Sequence, residues 1–119
     1  MKKTHLSDPE NILEVINAIR AQNKLPEIST QDVITKYSKS LSSSRPIKWK
    51  DSDSYVTISN MNFTELLDER RTSNQLVSFW MNNSNRRSVI LAPGKYGSVV
   101  FSEHKGNTYV SVVIMSFFH

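Results

Sequence analysis

The stretch Thr108-Tyr109-Val110-Ser111-Val112-Val113-Ile114-Met115-Ser116-Phe117-Phe118 decides the fold class. Val112, Val113, Ile114 and Met115 follow one another without a polar break, so a strand here is apolar on both faces. Such a strand belongs in the middle of a sheet, covered on both sides. Just upstream, Gly97 to Glu103 reads as a second strand, joined to it through the turn residues His104-Lys105-Gly106-Asn107. Tyr55, Thr57 and Ser59 alternate with Val56 and Ile58 and suggest a short, half-buried strand.

Helices flank these strands. Ser7-Asp8-Pro9-Glu10 opens the first: Asp8 can cap it, Pro9 suits the first helical position, and Ser7 with Glu10 has capping-box spacing. Ile12, Val15, Ile16 and Ile19 then fall at i, i+3, i+4, i+7 and make one apolar stripe that fades near Asn23. Lys24-Leu25-Pro26 ends the helix, because a residue before proline is pushed from helical geometry. Ser29-Thr30-Gln31-Asp32 opens a second helix that buries Val33, Ile34, Tyr37 and Leu41; Ser42-Ser43-Ser44-Arg45-Pro46 is a loop by composition. Asn62 to Arg71 suggests a short third helix. Thr72-Ser73-Asn74-Gln75 is a capping box for a fourth, in which Leu76, Phe79 and Trp80 share one face. Ala92-Pro93-Gly94 is a turn. Helices early and late around a buried sheet pack most economically as an α/β fold, a three-layer α-β-α sandwich with a mainly antiparallel central sheet.

At 119 residues the chain is one domain, residues 1–119, with residues 1–7 expected as a flexible N-terminal segment. Hydrophobic residues at 38% and charged residues at 22% are ordinary for a globular chain that needs no metal or disulfide staple. Fifteen basic against eleven acidic residues leave +4, too little for a nucleic-acid-binding tail. No apolar run approaches the ~20 residues of a membrane helix. Met1-Lys2-Lys3 looks like the start of a signal peptide, but Thr4, His5, Ser7 and Asp8 stand where an apolar stretch belongs. A cytosolic chain and a mature, processed one both fit.

The chemistry-bearing residues are sparse. There is no cysteine, and the histidines are His5, His104 and His119, too scattered for ligand spacing. No serine sits in a Gly-x-Ser-x-Gly elbow, and the three glycines make no phosphate loop. The pairs Arg70-Arg71 and Arg86-Arg87 raise nucleic acid as a partner, but Asp68 and Glu69 partly cancel the first pair. Asn62-Phe63-Thr64 and Asn82-Asn83-Ser84 match the glycosylation pattern, which an Asn-rich chain produces by chance. Trp80, with Leu76 and Phe79, reads as core.

Three segments in order resemble the CAP superfamily (cysteine-rich secretory, antigen 5 and pathogenesis-related proteins), in its bacterial, cysteine-poor SCP-like form. Trp80-Met81-Asn82-Asn83-Ser84-Asn85-Arg86-Arg87-Ser88-Val89-Ile90-Leu91 is similar to the motif W-M-x-S-P-x-H-R-x-x-I-L, with Trp80, Met81, Arg87, Ile90 and Leu91 in register. Asn17, Arg20, Leu25 and Pro26 match the opening N-x-x-R-x-x-x-G-L-P, with Lys24 in place of the glycine. Tyr96-Gly97-Ser98-Val99 and Gly106-Asn107-Thr108-Tyr109-Val110 resemble the closing hairpin.

The resemblance implies a central cleft, which in the family carries two histidines and two glutamates able to hold a divalent metal. In the gapless register Arg86 replaces a histidine, and Ser59, in Ser59-Asn60-Met61, replaces a glutamate. The second histidine has no counterpart. Arginine is permanently cationic and has no free lone pair, so Arg86 cannot coordinate zinc. The expected cleft, with Ser59 and Arg86 at tetrad positions and Asn60, Trp80 and Arg87 beside them, therefore holds no metal and no cofactor. Arg86 either pairs with an acidic group or a ligand anion, or points into solvent. The function implied is a non-catalytic binding module for a protein, peptide or lipid, extracellular or on a cell surface. One alternative is a hydrolase of the same family, although Glu65, Glu69 and Glu103 lack a histidine partner. A second is a basic nucleic-acid-binding module.

Overall fold

A computed structural model describes residues 6–30, 49–51 and 54–118, with side chains over 6–30 and 61–115. Its elements are α1 (Pro9–Gln22), β1 (Trp49–Asp51), β2 (Ser54–Leu66), α2 (Ser73–Met81), α3 (Ser84–Ile90), β3 (Tyr96–His104) and β4 (Asn107–Phe118). The strands pair antiparallel in the order β1-β2-β4-β3, so the chain is a mixed α/β domain with an antiparallel sheet. The expected second helix, from Gln31 onward, and the serine-rich loop lie outside the described residues; Ser29 ahead of them forms a parallel bridge to Tyr96.

β4 is the inner strand its composition demands. Val110, Val112 and Ile114 share one core with Ile12 and Ile16 of α1, Leu76, Val77 and Trp80 of α2, and Val89 and Ile90 of α3. Ser111, Val113 and Met115 point to the opposite face and are buried as well. Each fully buried aliphatic side chain contributes about 1.5–3 kcal/mol, so this strand and the residues it packs against dominate the stability. The β3–β4 hairpin turns at Lys105 and Gly106, whose φ angles of 52° and 80° are the paired positive values of a two-residue hairpin turn.

α1 begins where the sequence says. The Asp8 carboxylate accepts from the Asn11 N–H at 2.9 Å, and the Ser7–Glu10 alternative is not used. Its end differs in cause. The helix stops at Gln22, and Lys24 takes φ 59°, so that the N–H of Leu25 reaches Arg20 O at 2.9 Å and that of Lys24 reaches Ala21 O at 3.1 Å. This double bond pattern is a Schellman cap, and a lysine occupies its left-handed position, where glycine is usual.

Two expectations are overturned. Asn62 to Arg71 is not a helix: β2 runs unbroken to Leu66, and residues from Thr57 to Leu66 pair one by one with β4. Only the last part, Leu67 to Arg71, leaves the strand, in a turn closed by the Arg71 N–H on Asp68 O at 3.1 Å. Phe79 does not share the buried face of α2. Ser73, Leu76, Val77 and Trp80 form that face, and Phe79, rotated to the other side of Leu76, is 50% exposed. The capping box itself is present: Thr72 Oγ1 accepts from the Gln75 N–H, and Gln75 Oε1 accepts from the Thr72 N–H.

Candidate functional site

β2 and α3 bring Glu65 and Arg86 together. Glu65 pairs with Val110 across the sheet and so faces the helices, as Phe63 does opposite Val112. Arg86 sits in the first turn of α3, which Asn83 caps by accepting from the N–H groups of Asn85 and Arg86, both at 3.1 Å. From there its Nε donates to Glu65 Oε2 at 3.0 Å and its Nη2 lies 2.9 Å from the same oxygen. The other carboxylate oxygen, Oε1, accepts from the indole N–H of Trp80. Phe63 closes the cluster. Its ring meets Trp80 edge-on at 5.1 Å between centroids, and the Arg86 guanidinium lies 5.3 Å from its centre.

This arrangement leaves little chemistry available. Both oxygens of Glu65 are engaged, one by a guanidinium and one by an indole N–H. A general base works best when no cation holds its charge, and here a guanidinium stands on Oε2 of Glu65. The guanidinium is neutralised in turn. Of the two outcomes open to Arg86 in the sequence, pairing with an acid is the one found.

Of the other expected cleft residues, only Trp80 joins this cluster. Ser59 and Asn60 lie on β2, as a strand motif requires, where they pair with Ser116 and Met115; their side chains lie outside the described residues. Trp80 is fully buried and is core first, with only its N–H engaged. Arg87, in the last turn of α3, is exposed. His104 is exposed at the end of β3 with Glu103, while His5 and His119 lie outside the described residues. Among the described residues no three of His, Cys, Asp or Glu come together, and no helix is long and apolar enough to cross a membrane.

A second arginine is more deeply engaged. Arg20 is fully buried and donates to four carbonyl oxygens: Pro26 at 3.0 Å, Ile90 at 2.7 Å, Ala92 at 2.8 Å and Gly94 at 2.9 Å. Ile90 is the last residue of α3, so the cation also meets the negative end of a helix. Burial works against the charge and lowers the pKa of Arg20 from its ordinary value. One turn earlier, Asn17 both donates to Ile28 O at 3.2 Å and accepts from the Ile28 N–H at 2.7 Å. Asn17 and Arg20, three residues apart, thus hold the chain that follows α1 and fasten α1 to the end of α3. The sequence signal for Arg20 was present: it stands on the same buried stripe as Ile12 and Ile16, where a cation needs a partner.

The Arg70-Arg71 pair, which the sequence sets beside Asp68 and Glu69, forms a third grouping on Asp68. After β2, Asp68 Oδ1 accepts from the backbone N–H of Arg70 at 3.1 Å and from its Nε at 3.5 Å, and Oδ2 accepts from Arg71 Nε at 3.2 Å. The Arg70 backbone bond, then the charges of both arginines, hold the Asp68 carboxyl below its usual range. The Arg71 guanidinium lies 4.5 Å from the centre of the exposed Phe79 ring. In comparisons with known proteins, no family model matches this chain, and no curated protein or solved structure matches it.

Proposed function

We propose that this chain is a non-catalytic, CAP-like binding module in which an ion pair replaces the metal-binding tetrad. The observation that carries the reading is the engagement of Arg86, the residue in register with a motif histidine, by Glu65 and Phe63, with Trp80 on the other oxygen of Glu65. A position that holds an imidazole in the family holds a guanidinium here, and the fold supplies a carboxylate for it from the neighbouring strand. The pair fills the space with protein groups instead of offering lone pairs to an ion.

Further features of the fold support the resemblance. Asn17 and Arg20, both in the matched opening motif, share one structural task, and Lys24 adopts the left-handed backbone that a glycine in that motif is suited to. The matched closing segments form a hairpin. The proposal includes the finer architecture, a three-layer sandwich, and with it the family's extracellular or cell-surface setting. The ligand class is a protein, peptide or lipid.

A hydrolase is the weaker reading, because Glu65 is bound to Arg86 and Trp80, and Glu103 lies at an exposed strand end. Nucleic acid is weaker too: Glu65 neutralises Arg86, so the two arginine pairs make no continuous positive track. Calorimetric titration with Zn²⁺ tests the main reading. It predicts no stoichiometric uptake, and tight uptake at one ion per chain contradicts it.

A further inference from the structure

We propose that the outer face of α2 docks a peptide segment of another protein that carries a carboxylate and aliphatic side chains, with Arg70 and Arg71 reading the carboxylate. The proposal deepens the binding-module reading and rests on it.

Asp68 fixes the reading groups. It takes the Nε of each arginine on separate oxygens, and the terminal nitrogens of both guanidinium groups make no hydrogen bond among the described residues. The Arg71 fork is thereby anchored at its inner edge, by Asp68 at 3.2 Å and by the Phe79 ring, while Arg70, 3.5 Å from Asp68, is held loosely beside it; the outer donors of both are left for a ligand. A fork of this kind matches a carboxylate with two parallel bonds. Arg70 is 92% exposed and Arg71 39%, so both can be reached. With Asp68 counted against them, the hollow they line, of about 930 Å³, keeps one net positive charge. Glu69 lines the adjoining hollow, which shares Asp68 and Arg70 with this one, so the positive charge is greatest at Arg71.

The rest of the surface fits a peptide better than a lone anion. Phe79, half exposed and stacked by Arg71, is an aromatic anchor held in place. Asn74 and Ser78 follow along the helix, exposed, and primary amides and hydroxyls suit a peptide backbone. Those same two residues line a second hollow of about 480 Å³ between α1 and α2, whose apolar wall is Val15, Ala18, Ile19 and Met81. A charged half and an apolar half thus lie on either side of one helix, roughly 10 Å apart. Glu14 lines the apolar half and opposes a carboxylate there, which sets the direction of the segment: acidic end over the arginines, aliphatic side chains against Val15 and Met81.

Selection of a displayed random-peptide library on the intact protein tests the proposal. The enriched peptides are expected to combine an aspartate or glutamate with aliphatic residues and to bind R70E and R71E at least about tenfold more weakly. R71K, which keeps the charge but loses the fork, should fall between. No enrichment, enriched peptides without carboxylates, equal binding to R70E, or displacement of the peptides by single-stranded oligonucleotide would each overturn it. Zn²⁺ uptake with peptide binding intact would instead overturn the module reading alone.

Discussion

Arg20 and Arg86 both sit inside the fold's framework, and they are stabilised in different ways. Arg20 is fully buried and meets only main-chain carbonyls among its hydrogen-bond partners, four of them from two distant parts of the chain. Arg86 keeps 26% of its side-chain surface and meets a carboxylate and an aromatic ring. In the first case the cation serves the backbone: without it, carbonyls at the end of α3 and in the turn after it would be buried without donors. In the second the cation serves one side chain, Glu65, which would otherwise be a half-buried charge. The difference teaches that an arginine's role follows from what it leaves behind when removed.

Arg20→Met would break the comparison most severely. The apolar replacement fills much of the volume but leaves the buried carbonyls of Ile90 and Ala92 without their donor and those of Pro26 and Gly94 to solvent, and a loss of about 3–5 kcal/mol is expected in denaturant unfolding. A loss below about 1 kcal/mol would mean that water or a shifted backbone satisfies those carbonyls. Arg86→Met should cost less, about 1–3 kcal/mol, since Glu65 at 21% exposure retains some solvent and the Trp80 bond. If the two variants lost equal stability, the distinction drawn between them would fall.

Lys24→Gly sharpens the same picture from the opposite direction. It removes the side chain from a left-handed position in the cap that Arg20 O helps to form, and a gain of about 1 kcal/mol in the free energy of denaturant unfolding is expected. Destabilisation would show that the lysine side chain contributes more than its backbone conformation costs. Arg87→Met is the neighbouring control. Exposed at the end of α3, Arg87 should change stability by no more than about 0.5 kcal/mol, and a larger change would reveal a partner for it.

Much of the frame was legible in the sequence because the signals were local. Asp8 with Pro9, Thr72 with Gln75, and the uninterrupted apolar run of β4 each carry their meaning within a few residues. The span from Asn62 to Arg71 misled because Glu65, Leu66 and Leu67 favour helix locally, whereas pairing along β4 decides the outcome. Met61, Phe63 and Glu65 fall on one face at a period of two, and that alternation was the overlooked signal.

The site was legible only in its residue types. That Arg86 cannot be a metal ligand follows from its chemistry; that Glu65 is its partner does not. The two stand 21 positions apart, and they meet because the register of β2 on β4 turns Glu65 toward α3. Phe79 was misplaced for a similar reason: spacing gave three apolar residues on a helix, and only the packing shows that Val77 continues the buried face while Phe79 turns outward.

A double-mutant cycle on Glu65→Gln and Arg86→Met tests most directly whether Arg86 is locked by its own ion pair. A coupling energy of about 1–2 kcal/mol between the two substitutions is expected, with Trp80 fluorescence perturbed in each single variant. Additive losses, with no coupling beyond a few tenths of a kcal/mol, would contradict the account and leave Arg86 available to a ligand.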